Sequence, residues 1–210
     1  HFSLFGAFSG FDSMEECFEE LTPQIHAVET GLSSDPPMNW RLSALDGLQL
    51  ISNSDAHSPA KLGREANLLS IPMSYDGLYG AIQRGEGLEG TIEFFPEEGK
   101  YHFDGHRKCH LCISPAEARS CGGICPVCGK KLTTGVLHRV EDLADREEHF
   151  TPEHARPFEN LVPLPELMAE ALGTSAASQK TARLYQHALC ELGDEFRILR
   201  QTSLDDIRGI

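Results

Sequence analysis

The first hundred residues alternate between short apolar runs and stretches of helical spacing. Met14, Cys17, Phe18 and Leu21 recur every three or four positions behind Asp12 and Glu15, which have the form of a capping box, so this segment predicts a helix. Residues 25–28 follow Pro23, end in Glu-Thr-Gly and read as a strand. Residues 39–47 have the length and closing glycine of a brief helix. Residues 48–52, LQLIS, are short, apolar and followed by turn residues, which predicts a buried strand. Residues 75–83 predict a helix and residues 90–94 a strand. Strands alternating with helices imply parallel βαβ units.

Residues 101–135 break this rhythm. They are rich in Cys, His and Gly and hold no long periodic stretch. Residues 136–147 predict a short helix, and the proline-punctuated residues 154–163 predict a linker. Residues 164–199 return to helical spacing, with Gly173 and Gly193 as stops for two helices. The expected division is therefore an α/β part over residues 1–100, a metal module over 101–135 and a helical region over 136–210.

Composition narrows the function. The chain is 40% hydrophobic with 11 Phe, enough to build a core. It has no apolar run of membrane-spanning length, and residues 1–8 lack the basic region of a signal peptide. Five of the seven cysteines fall between Cys109 and Cys128, and the odd, clustered count predicts a reduced compartment, the cytoplasm, with a metal site. The net charge of −14 argues against indiscriminate phosphate-backbone binding. Residues 100–140 run the other way, with seven Lys/Arg against two acids. That basic island is either a solvated surface or a nucleic-acid footprint.

Two constellations carry chemistry. Cys109-His110-Leu111-Cys112 and Cys125-Pro126-Val127-Cys128-Gly129 are two C-x-x-C pairs separated by twelve residues. Four thiolates so spaced can hold Zn²⁺ in a closed, structural tetrahedron. His106 or Cys121 could replace one of the four, and a redox dithiol is the competing reading. The second constellation is Asn53-Ser54-Asp55-Ala56-His57-Ser58-Pro59, directly after LQLIS. Asp55 and His57 are two apart, so an extended chain puts both side chains on one face, where a carboxylate and an imidazole can share a metal. A turn or helix cap built from Ser, Asp and Pro is the alternative.

Ser54-Asp55-Ala56-His57-Ser58 resembles the last metal motif of the PHP (polymerase and histidinol phosphatase) superfamily, a distorted β/α barrel that binds up to three metals and cleaves phosphoesters. Taken with Phe5-Gly6, residues 9–13, residues 29–35, Gly63-Arg64-Glu65-Ala66-Asn67, residues 101–107 and residues 135–141, the chain resembles the endonuclease Q family over nearly its whole length.

The resemblance implies an α/β fold, the C-terminal part of a PHP-type barrel, followed by a small zinc-binding module and an α-helical tail. It implies a DNA repair endonuclease that cuts 5′ of deaminated bases such as hypoxanthine and uracil, or at abasic sites, by metal-dependent hydrolysis. Asp55 and His57 would be catalytic metal ligands for Zn²⁺, Mn²⁺ or Mg²⁺, with structural Zn²⁺ at Cys109, Cys112, Cys125 and Cys128. Arg64, Arg107, Lys108, Lys130, Lys131 and Arg139 would meet the phosphates of DNA carrying damaged bases. The family's earlier metal motifs have no counterpart in these residues, so the chain alone is expected to be inactive. Phe8 stands where relatives would carry a smaller or polar residue. A small-molecule PHP phosphatase and a non-catalytic nucleic-acid-binding module are the alternatives. Residues 164–199 are a candidate contact for a homo-oligomer.

Overall fold

A computed structural model describes residues 11–209. Phe5, Gly6, Phe8, Ser9 and Gly10, which bear on the resemblance, lie outside the described residues. The architecture is mixed α/β with small sheets. Strands β1 (Ala27–Glu29) and β2 (Gln49–Ile51) pair in parallel, with Glu29 opposite Ile51. Strand β3 (Ala66–Leu69) runs antiparallel to β4 (Leu88–Glu93). Strands β5 (Asp104–His106) and β6 (Leu111–Ile113) form a separate antiparallel hairpin. Strand β7 (Phe158–Asn160) returns to the other edge of β4 and runs parallel to it. The expectation of parallel pairing thus holds for β1–β2 and β4–β7 but not for β3–β4.

The helices are α1 (Met14–Phe18), α2 (Pro36–Trp40), α3 (Tyr75–Arg84), α4 (Pro115–Ser120), α5 (Val136–Leu143), α6 (Leu164–Leu172), α7 (Gln179–Leu192), α8 (Glu195–Arg200) and α9 (Leu204–Arg208). Their ends follow capping chemistry. Ser74 caps α3 by accepting the Gly77 N–H at 3.1 Å, and Gly85 closes it at φ +71°. The cap of α1 is Ser13, which accepts from the Glu16 N–H, so the expected Asp12–Glu15 box is displaced by one residue. Residues 39–47 form no continuous helix. Helix α2 begins upstream, capped by Asp35 with Pro36 in its first turn, and a 3-10 turn over Ser43–Leu45 follows.

Met14, Val28, Met38, Leu42, Leu45 and Val140 form one buried cluster, so α1, β1, α2 and α5 share a core. Full burial of Val140 alone contributes about 1.5–3 kcal/mol. This packing places residues 136–160 with the α/β part rather than with a helical region, and the polypeptide divides into compact units after Asn160. The supposed linker at residues 154–163 supplies β7, because Thr91, Ile92 and Glu93 offer an unfilled strand edge. The second unit, beginning at Leu161, is helical. Its core is Leu164, Ala188 and Ile198, and Glu195 accepts hydrogen bonds from the Leu164 N–H and the Tyr185 hydroxyl.

Candidate active-site edge and metal centre

Because β1 and β2 are parallel, the segments leaving them emerge at the same edge. Glu29 and Thr30 end the first, and Ser52 to His57 follow the second. A cavity of about 700 Å³ opens there, lined by Glu29, Ser33, Asn53, Asp55, Tyr101 and Val136 among others. The carboxyl edge of parallel strands is where α/β proteins place their ligands.

Asp55 has φ +46°, a left-handed conformation that Asp tolerates better than most residues. Its carboxylate lies 4.0 Å from Nδ1 of His57, and both side chains are exposed, at 74% and 86%. The pair meets through a turned backbone rather than the extended one expected from the sequence. Nδ1 of His57 lies 2.8 Å from the Asp55 carbonyl oxygen. With the proton on Nδ1, Nε2 presents its lone pair outward, the orientation that a second hydrogen bond gives a metal-binding histidine. Glu29 and Asp55 line the same cavity, but among the described residues these two carboxylates and the His57 imidazole do not converge as a complete set of metal ligands.

Side chains from three neighbouring segments hold this loop. Asn67 of β3 accepts the Ser52 N–H at 3.0 Å and donates to the Ser52 carbonyl at 2.8 Å and to Asn53 Oδ1 at 3.2 Å. Arg64 was expected to meet phosphate. Its Nε instead donates to the Ser54 carbonyl at 2.8 Å, so the guanidinium braces the loop that carries Asp55. Glu93, at the end of β4, is fully buried and accepts from Thr30 at 2.8 Å, Thr91 at 2.5 Å and Ser52 at 3.2 Å.

A second buried acid lies beside it. Glu65 is 3% exposed, and neither of its carboxylate oxygens has a hydrogen-bond partner. Burial first, then the nearby charge of Glu93, pushes its pKa up to about 8. Burial also raises Glu93 to about 7, against the lowering effect of its three hydroxyl donors. Glu65 is therefore held mainly as the neutral acid at pH 7.

The cysteine region forms a separate centre. His106, Cys109, Cys125 and Cys128 bring one ligand atom each to within 4.8 Å of one another. A tetrahedral ion about 2.3 Å from sulfur and about 2.0 Å from nitrogen would hold an S···N pair about 3.5 Å apart. Cys128 Sγ and His106 Nδ1 are 3.5 Å apart, so the group fits such an ion. Cys112, an expected ligand, is outside the group. The reason is register: His106 pairs with Leu111, and Leu111 and Ile113 face the small core that contains Cys125, whereas Cys112 alternates to the opposite, exposed face. Cys121 donates to the Ala118 carbonyl instead and is not in the group. Gly129, at φ +70°, turns the chain tightly after Cys128. The thiols differ in ease of ionisation. Desolvation and the adjacent Cys128 and Cys125 push Cys109 up to about 11. Burial opposes ionisation of Cys125 too, but the backbone N–H groups of Cys128 and Val127 outweigh it and lower that pKa.

No family model matches the chain. Among solved structures, it superposes on the lesion-specific endonuclease PfuEndoQ of Pyrococcus furiosus with a TM-score of 0.85 and 29% identity, over 98% of this chain and 52% of that one. The chain is similar to endonuclease Q over nearly its whole length. It matches an endonuclease Q in complex with a 27-mer duplex bearing an abasic lesion at the active site equally well, with a TM-score of 0.85 and 29% identity over 95% of this chain and 51% of that one. Two curated relatives have no assigned function. The uncharacterized protein MJ0043 of Methanocaldococcus jannaschii is 31% identical over 97% of this chain and 26% of its own length. The uncharacterized protein YqxK of Bacillus subtilis is 33% identical over 72% of this chain and 38% of its own length. The chain thus spans about half of the solved endonuclease Q chains and less of the curated relatives.

The phosphate-contacting residues expected within residues 100–140 divide into two sets. Arg107 and Lys108 are exposed in the turn between β5 and β6, and Lys130 and Lys131 are exposed after Gly129, so all four are close in sequence to ligand residues of the metal group. Arg139 is engaged elsewhere, donating to the Phe11 carbonyl and pairing with the Asp12 carboxylate. Its neighbour His138 lies 2.5 Å from the buried carboxylate of Asp104, which also accepts the Gly135 N–H at 2.5 Å just before α5. Among the described residues no helix is long and apolar enough to cross a membrane.

Proposed function

We propose that this chain forms part of a DNA repair endonuclease that cuts 5′ of deaminated bases or at abasic sites by metal-dependent phosphodiester hydrolysis. The observation that carries the reading is Asp55, paired with His57 and lining a cavity at the carboxyl edge of β1 and β2 in a chain similar in fold to endonuclease Q. We assign this edge to the C-terminal part of a PHP-type barrel. Divalent ions bound there would supply Lewis-acid activation of the phosphodiester. Asp55 and Glu29 would supply oxygen donors, and His57 would supply a ring nitrogen, its other nitrogen lying 2.8 Å from the Asp55 carbonyl. Further ligands would come from polypeptide matching the remainder of the solved endonuclease Q chains, so residues 1–210 alone are expected to be inactive.

The cysteine centre, read as His106, Cys109, Cys125 and Cys128, holds one structural Zn²⁺. Arg107, Lys108, Lys130 and Lys131 then place positive charge around a rigid knuckle, suited to the phosphates of a DNA backbone. Lesion choice would follow from extruding the damaged nucleotide, which costs least where pairing is already weak or absent.

A gel-shift titration with abasic, inosine-containing and undamaged duplexes tests the reading. Tighter binding to the damaged duplexes supports it. Equal binding to all three would favour a nucleic-acid-binding module, and no binding would favour a small-molecule phosphatase.

A further inference from the structure

Glu93 is a buried acid that the proposed chemistry does not use. It closes β4, and its carboxyl group reaches two neighbouring strand ends. One oxygen, Oε2, lies 2.8 Å from the Thr30 hydroxyl and 3.2 Å from the Ser52 hydroxyl, while Oε1 lies 2.5 Å from the Thr91 hydroxyl. Thr30 is the residue after β1, and Ser52 is the residue after β2. One carboxyl group therefore joins the ends of β1, β2 and β4, which lie in two different sheets.

We propose that Glu93 is a positioning residue for the candidate active site: by tying Thr30 to Ser52 it fixes where the segments bearing Glu29, Asp55 and His57 leave their strands. This inference rests on the reading of the Asp55 edge given above. Residues 52–55 are held from three sides, by Glu93 at the Ser52 hydroxyl, by Asn67 at the Ser52 backbone and by Arg64 at the Ser54 carbonyl. Of the three, only Glu93 also reaches β1. It thus adds a side-chain tie from β4 to the backbone bond that already joins Thr30 to Ile51, and so braces the Glu29 side and the Asp55 side of the cavity together. The raised pKa of Glu93 is compatible with the role. Both Thr30 and Ser52 have a backbone carbonyl as an alternative acceptor, Ile51 and Ile92 respectively, so a neutral carboxyl or an amide can still complete the pattern.

That last point gives the test its form. Glu93→Gln keeps an acceptor oxygen and a similar volume, whereas Glu93→Leu keeps only the volume. Thr30→Val and Ser52→Ala each delete one hydroxyl, and the thermal midpoint shows whether each variant is folded. For each variant the thermal midpoint, the His57 imidazole tautomer by long-range ¹H–¹⁵N NMR, and the cleavage of an abasic duplex by the full-length protein are measured. The unchanged protein and Glu93→Gln should hold His57 with its proton on Nδ1. Glu93→Leu and Ser52→Ala should give a tautomer mixture and displaced Asp55 and His57 signals. In cleavage, Glu93→Leu should lose about tenfold or more in kcat with KM unchanged, and Glu93→Gln should recover most of it. A folded Glu93→Leu protein with the His57 signals of the unchanged chain would overturn the proposal. So would an equal loss in the Gln and Leu variants. If the unchanged protein cuts no DNA, the nuclease reading fails, but the tautomer measurement still decides the role of Glu93.

Discussion

Nδ1 of His57 sits 2.8 Å from the backbone carbonyl oxygen of Asp55, two residues earlier in the same loop. The contact closes a small ring that turns both side chains outward and leaves Nε2 without an intraloop role. It accompanies the left-handed conformation of Asp55, at φ +46°.

This backbone conformation separates charge from shape at position 55. Asp55→Asn tolerates the left-handed region, so its thermal midpoint should match that of the unchanged chain. Asp55→Ala should cost roughly 1 kcal/mol in denaturant unfolding, since a left-handed conformation is unfavourable for most L-residues. Equal stability of the two variants would contradict the assigned strain.

The metal centre gives a prediction of ligand identity. Zinc analysis of the purified chain should find about one ion per chain. Cys112→Ser should retain it, because that side chain is on the far face of the hairpin. His106→Ala, Cys109→Ser, Cys125→Ser and Cys128→Ser should each release zinc at far lower chelator concentration. Retention in the His106 variant together with loss in the Cys112 variant would restore the four-cysteine reading.

Asp104 joins the hairpin to α5 by accepting from Gly135 and contacting His138 while buried. Asp104→Ala leaves the Gly135 N–H without an acceptor in a buried position. The expected cost is about 1–3 kcal/mol in urea unfolding. A smaller loss for Asp104→Asn than for Asp104→Ala would show that the oxygen acceptor, rather than the charge, matters.

Stability should also fall as pH rises through the neutral range. Glu65 and Glu93 both have folded-state pKa values raised above 4.5, to about 8 and about 7. Between 4.5 and those values the folded chain binds more protons than the unfolded one, so the slope of stability with pH is negative. Thermal midpoints should decline from about pH 5 to pH 8, and Glu65→Gln, already neutral, should flatten much of the decline. A profile that rises over this range and is unchanged in Glu65→Gln would refute the buried-acid account.

Local signals made part of this legible in advance. Ser74 and Gly85 bracket α3, and Gly173 and Gly193 stop α6 and α7, since caps and breakers act within a few residues. The cysteine pairs announced a metal centre by spacing alone. What was not legible depended on partners distant in sequence. Strands β3 and β7 carry little pattern of their own and exist through pairing with β4. The choice of His106 over Cys112 follows from hairpin register, which the intervening turn decides. Glu93 looks like an ordinary strand residue in GTIEF until Thr30 and Ser52 fold over it. Arg64 reads as a free cation near Asp55, yet the Ser54 carbonyl captures it.

The most direct test of the proposed nuclease is strand cleavage by the full-length protein on a duplex with one abasic site, with the cut mapped at nucleotide resolution. The account predicts a divalent-metal-dependent nick on the 5′ side of the lesion, reduced about 100-fold or more by Asp55→Asn without loss of fold. A nick that persists undiminished in Asp55→Asn, or none with any divalent metal, would contradict it.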